Sequence, residues 1–245
     1  MNETEKDTII LELQKRVDKL EGKNEEGIPT YSFSSIKYTE LESIVSIKKS
    51  FDDAPFEDWL ESDINISLES ANFLETLLGK YGKFIQAYKE ETLKANFIIP
   101  IINQVDFLSI KDEISPFYEE IITYKTEKFI LSGATDFSIS KGLEYSEKPY
   151  FFIQEFKKGK VSTDPEPQLL AELISAIELN QFQSMKGAYI VGAIWNFVIL
   201  EKIGTHKYRY NVSCNFDSTD FEKLKGIYKN LLFIKNEILE IVREK

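Results

Sequence analysis

The sequence predicts an α/β domain with a central mixed β-sheet flanked by helices, preceded by a short amphipathic helix. Three observations lead there. Apolar, β-rich runs recur at residues 129–139, 150–156, 187–199 and 208–216. Stretches with apolar residues at helical spacing lie between or after them, above all Gln168 to Asn180 and Phe221 to Val242. The chain has 245 residues, 42% of them hydrophobic and 29% charged, which is enough to bury a sizeable core in one domain carrying an appendage.

Residues 1–27 form the appendage. Ile10, Leu13, Val17 and Leu20 are spaced three, four and three, a short heptad pattern. Two heptads alone are marginal, so the segment reads either as a helix frayed against the domain or as a small stem that pairs with a second copy or a partner subunit. The linker GKNEEGIP, Gly22 to Pro29, leads into the domain, residues 28–245. From Tyr31 to Lys49 the pattern admits a strand or a helix. Asp52 to Pro55 reads as a helix start for the segment holding Trp59, a core anchor. A further helix is expected from Ile66 to Leu78, broken by Gly79 to Gly82. Ile85, Leu93, Phe97, Ile98, Ile101 and Ile102 predict one long helix over 84–105, with Pro100 as a kink or boundary. Glu90 lies on the face of Leu93, Phe97 and Ile101.

A strand is expected over Ile114 to Tyr124, beside the run from Lys128 to Ile139. In the latter, Ser132 to Thr135 predict a bend or bulge that places Asp136 at mid-strand. Tyr150 to Phe156 reads as its antiparallel partner. Asp164-Pro165-Glu166-Pro167 is a helix start, with Leu169, Leu170, Leu173, Ile174 and Ile177 turned inward. The apolar run Gly187 to Ile199 is expected as a buried strand, or as two strands split near Trp195 and Asn196. Tyr208 to Phe216 is the last strand and Phe221 to Val242 the last helix.

The chemistry concentrates at Asp136 and, nineteen positions later, Glu155-Phe156-Lys157. Alternation along a strand turns Glu155 and Lys157 to one face and Phe156 to the other. With Asp136 on the partner strand, two carboxylates and a lysine converge. Carboxylates at close range resist joint ionisation unless a cation lies between them, and such hard oxygen ligands suit Mg²⁺ or Mn²⁺. A lysine there can orient an attacking water or offset charge on a cleaved phosphoryl group. An exposed strand that merely alternates Glu and Lys would need no such role.

This order of residues resembles the PD-(D/E)XK nuclease superfamily over roughly residues 88–200, within it the restriction-subunit and effector-like branches. Thr135-Asp136 stands where the family name has Pro-Asp. The resemblance implies a restriction-endonuclease-like core and metal-dependent phosphodiester hydrolysis, most simply of DNA. It implies metal ligation by Asp136, Glu155 and the carbonyl of Phe156, with Lys157 holding the hydrolytic water. It also implies a helix carboxylate at Glu90, with Lys94 one turn later and Glu91 as the fallback, and a glutamine at Gln168 supporting the metal shell. An ordinary surface ion pair between Glu90 and Lys94 remains the alternative for that helix.

Composition narrows the classes. The net charge of −11, from 30 Lys and Arg against 41 Asp and Glu, argues against indiscriminate nucleic-acid binding. The acids are concentrated early, since residues 38–91 carry −7 and residues 125–210 carry +1. That imbalance leaves open a second class, a nuclease-like fold retained as a binding or scaffolding module. With one histidine, His206, and one cysteine, Cys214, a zinc site of Cys and His ligands within one chain is excluded. Cys214 is expected as a half-buried strand residue. No apolar run is long enough for a membrane span and the first ten residues are charged, so a cytoplasmic protein is expected.

Overall fold

The computed structural model describes residues 27–157 and 164–244. The expected heptad before Gly22, and the basic run Lys158 to Lys160 after the Glu155 strand, lie outside the described residues. The strands are β1 (Thr30–Ser32), β2 (Ser46–Ser50), β3 (Ile114–Lys125), β4 (Ile130–Lys141), β5 (Glu147–Lys157), β6 (Ser184–Val191), β7 (Ile194–Gly204), β8 (Lys207–Val212) and β9 (Phe216–Asp217). They form one mixed sheet in the order β1-β4-β5-β6-β7-β8-β2, with β3 along the outer side of β4 and β9 against β7. Pairing is parallel at β1–β4, β5–β6 and β2–β8, and antiparallel elsewhere.

The helices are α1 (Tyr38–Ile44), α2 (Glu57–Leu60), α3 (Leu68–Tyr81), α4 (Glu90–Leu93), α5 (Ile99–Val105), α6 (Pro165–Asn180) and α7 (Phe221–Arg243). They cover the sheet on both faces. On one face, Leu74 and Leu77 of α3, the helical residues 93–105 and Leu224 to Ile238 of α7 pack on Phe137, Phe152, Phe156 and Phe197. On the other, Leu169 to Ile177 of α6 and Leu41 of α1 pack on Leu131, Ile153, Val198 and Leu200. Phe152 and Ile153 therefore feed opposite cores, which is why β5 reads as a continuous apolar run instead of an alternating one.

Several expectations are corrected. The helix expected from Phe84 becomes helical only at Glu90, after a 3₁₀ turn at Gly82–Phe84 and an extended Lys89. It then passes through a π turn, Lys94–Ile98, in which the amide of Ile99 donates to the carbonyl of Lys94. Pro100 has no N–H to give, and it is accommodated in the first turn of α5, where none is required. Gly79 does not break α3, which runs on to Tyr81. The run from Gly187 to Ile199 splits at Gly192 and Ala193 instead of near Trp195, because Gly192 supplies the left-handed φ of 62° that the two-residue hairpin requires. Tyr208 to Phe216 is interrupted between β8 and β9, both of which pair with β7. Cys214 falls in that interruption and is exposed, not half-buried in a strand. No bulge occurs at Ser132 to Thr135, where β4 keeps a uniform register with β3. The irregular residue is Glu119 across from Asp136, in the left-handed region with φ 57°.

Candidate active site

Asp136 stands where the sheet forks. On one edge of β4, pairing with β5 covers only Phe137 to Lys141, while β1 takes the stretch Ile130 to Ser132. Between these two partners the edge of β4 opens at Asp136. Beyond Gln154, the last residue paired with β4, strand β5 continues as Glu155, Phe156 and Lys157 alongside β6. The Asp136 carboxylate fills the gap in the ladder: its Oδ2 accepts the Phe156 amide at 2.8 Å. In a strand the N–H and C=O of one residue face the same neighbour. The Phe156 carbonyl therefore opens toward the fork as well.

Glu155 and Lys157 leave β5 on one face, as alternation requires, and Lys157 Nζ donates to Glu155 Oε1 at 2.5 Å. Glu155 is 0% exposed and, among the described residues, its Oε2 has no hydrogen-bond partner. Burial first, and then the Asp136 carboxylate, push the Glu155 pKa up to about 8 against the opposing pull of Lys157. For Lys157, burial alone would lower the ammonium, but the Glu155 and Asp136 carboxylates outweigh it and hold the pKa above its ordinary value.

Helix α6 closes the site from behind. Asp164 caps it by accepting the Glu166 amide at 3.0 Å, and prolines at 165 and 167 occupy first-turn positions whose N–H groups would be orphaned in any case. Gln168 is buried, and its Nε2 donates to Glu172 Oε1 at 3.1 Å. Glu172 is itself 0% exposed, and its Oε2 has no hydrogen-bond partner among the described residues. Its pKa is raised well above the ordinary carboxylate value by burial and then by the Glu155 charge, with Gln168 acting in the opposite direction.

From the other side comes Lys94, the first residue of the π turn. It is 8% exposed and donates to Asp136 Oδ1 at 2.8 Å. Its Nζ lies 3.6 Å from Glu90, 3.4 Å from Glu91 and 5.4 Å from the centre of the Phe156 ring. Burial alone would lower the Lys94 ammonium, but Asp136, Glu91 and Glu90 together raise its pKa. The side chain of Glu90 is partly covered and that of Glu91 largely exposed. Glu90, not Glu91, also contributes to the field at Lys157. The i,i+4 pair of Glu90 and Lys94 is present, but its lysine is buried against Asp136 instead of lying on the surface.

Asp136, Glu155, Phe156 and Lys157 are thus brought together, with Gln168 behind Glu155 through Glu172 and Glu90 at the rim. One member escaped the sequence reading: Glu172 could have been found as the single acid within the buried stretch Leu169 to Ile177. Lys94 was named only as the residue one turn after Glu90, and its contact with Asp136 was not expected. Among the described residues, no group of three or more Asp, Glu, His or Cys side chains converges as a ready-made cage. The donors that fit a metal are two carboxylates and a backbone carbonyl, an all-oxygen set with one buried carboxylate oxygen lacking a partner. This composition suits Mg²⁺, which keeps several waters and needs only one or two carboxylates. No family model matches the chain, and no similar protein is found among the curated ones. Among the described residues, no helix is long and apolar enough to cross a membrane.

Proposed function

We propose that this chain is a metal-dependent nuclease of the PD-(D/E)XK kind, built on a restriction-endonuclease-like core and hydrolysing phosphodiester bonds, with DNA as the favoured substrate. One observation carries the reading: Asp136 of β4 and the Glu155 and Lys157 pair of β5 meet at a fork in the sheet, where Glu155 is buried with one oxygen that has no hydrogen-bond partner among the described residues. Burying a carboxylate without a full set of partners is costly, so its retention calls for a positive reason.

Asp136, Glu155 and the Phe156 carbonyl would hold Mg²⁺ or Mn²⁺, which supplies Lewis acidity at the phosphoryl oxygen and a more acidic bound water. Lys157 has two N–H groups beyond the one given to Glu155, and with these it orients an attacking water or neutralises a phosphoryl oxygen. Glu172 fixes the Gln168 amide by accepting from its NH₂ group. Glu90 lies 3.6 Å from the Lys94 ammonium and adds to the field at Lys157. The N-terminal heptad would supply a homodimer or partner-subunit contact, which suits a chain too acidic to hold nucleic acid by charge alone.

The reading is tested by divalent-dependent cleavage of single- and double-stranded DNA and of RNA, comparing wild type with Lys157→Ala. Loss of cleavage by on the order of 10²-fold or more in the variant is expected. Undiminished cleavage would remove Lys157 from its role. A second reading, a catalytically silent binding module, is favoured by one specific feature, the matching of each site carboxylate by its own lysine. It predicts no Mn²⁺ binding to wild type, whereas the nuclease reading predicts binding that Asp136→Ala abolishes.

A further inference from the structure

Both oxygens of Asp136 are already engaged. Oδ2 takes the Phe156 amide, which the strand path dictates, and Oδ1 takes the Lys94 ammonium. The ammonium therefore occupies the side of Asp136 on which a metal ligand has to be free. Lys94 is no surface residue that happens to reach in, since it is 8% exposed and its Nζ lies over the Phe156 ring. Resting on the metal site proposed above, we propose that Lys94 is the resident counter-cation of Asp136 and that a divalent ion has to displace it before the site is loaded.

Two structural features make such an exchange feasible. The first is a second home for the charge. Glu90 and Glu91 lie 3.6 and 3.4 Å from Nζ, so a small shift of the ammonium exchanges Asp136 for these carboxylates without leaving it unpaired. The second is the backbone under it. Lys94 opens the π turn, a local widening of the helix in which Ile99 bonds back to Lys94 across an extra residue. An ammonium and a divalent ion side by side in a poorly solvated site repel strongly, so the two do not share Asp136. Loading thus transfers the Lys94 ammonium to Glu90 and Glu91.

The inference separates cleanly from a structural role. If Lys94 only held Asp136 in place, its removal would weaken metal binding. If it competes for Asp136, its removal strengthens binding. The experiment is calorimetric titration of Mn²⁺ into the metal-free full chain, wild type against Lys94→Gln, Lys94→Met and Lys89→Gln. Lys89 is exposed just ahead of α4, so its variant makes the same change of net charge nearby without touching Asp136. Circular dichroism and thermal midpoints verify folding. If Lys94→Met fails to fold, Lys94→Gln decides, because it keeps a neutral donor for Asp136. The expected result is Mn²⁺ affinity about tenfold or more higher in the Lys94 variants, with Lys89→Gln within roughly twofold of wild type. Equal or weaker binding in the Lys94 variants, with wild-type binding intact, overturns the exchange and leaves the metal site standing. Absence of binding in every protein, the Lys94 variants included, overturns both.

Discussion

Glu155→Gln should make the protein more resistant to unfolding as the pH rises. The side chain is 0% exposed, one oxygen accepts from Lys157 and the other has no protein partner. Its pKa is pushed from the ordinary 4.5 to about 8, first by burial and then by Asp136. A group whose folded pKa is raised contributes stability that is fully present below its unfolded pKa and is lost as pH climbs through the folded value. Wild type therefore loses stability between about pH 4.5 and about pH 8, at ~1.4 kcal/mol per unit, which accumulates to on the order of 5 kcal/mol. Glutamine has the shape of the neutral acid and does not titrate, so the variant does not share this loss. The assay is urea denaturation of both proteins in EDTA at pH 5, 6, 7 and 8. The stability of the variant relative to wild type should rise steadily across the series, reaching on the order of 3 kcal/mol by pH 7. A flat difference curve would refute the reasoning, because it would mean that Lys157 keeps Glu155 ionised throughout.

Three further outcomes follow from the same structure. Glu172→Gln keeps a partner for Gln168 while removing a buried acid, so it too should gain stability relative to wild type as pH rises, read by the same urea series. Trp59→Ala removes a 1% exposed ring that donates to the Asn230 carbonyl at 3.0 Å and meets Phe197 edge-on, and it should cost about 3–5 kcal/mol in denaturation. Gly142→Ala should cost about 1–3 kcal/mol or more, seen as a lowered thermal midpoint, since Gly142 has φ +99° and an added Cβ would lie 1.9 Å from the Tyr145 carbonyl oxygen.

Strand alternation and the proline-flanked helix start made most of the site readable in the sequence. Glu155 and Lys157 had to share a face, and Gln168 had to fall in the first turns of a helix leaving that strand. What periodicity cannot express is the fork. Asp136 meets the Phe156 amide because β4 is shared between β1 and β5, and those pairings join residues about 100 and 15 positions apart. Lys94 was visible as one turn beyond Glu90, but its burial depends on a π turn that shifts the helical phase, and a regular 3.6-residue reading carries no such shift. Glu172 was hidden by its setting, an otherwise apolar helix face where a single acid does not disturb the stripe. The split at Gly192 was lost because both flanking strands are buried on both faces, which erases the usual alternation.

The parallel pairings also govern the order in which the molecule can be completed. Thr30 has to wait for Ile130, and Ser46 for Lys207, before β1 and β2 have neighbours. On a ribosome, the earliest strands of the domain are therefore the last to be secured at the flank of the sheet. The antiparallel ribbon of β3, β4 and β5, whose partners follow one another closely, can form while the ends are still open. The fork that holds Asp136 closes on its β1 side only by capturing a segment synthesised about 100 residues earlier. A chain stalled before residue 207 would leave β2 as an unpaired edge carrying Lys48 and Lys49, charges of the kind that discourage one nascent edge from pairing with another.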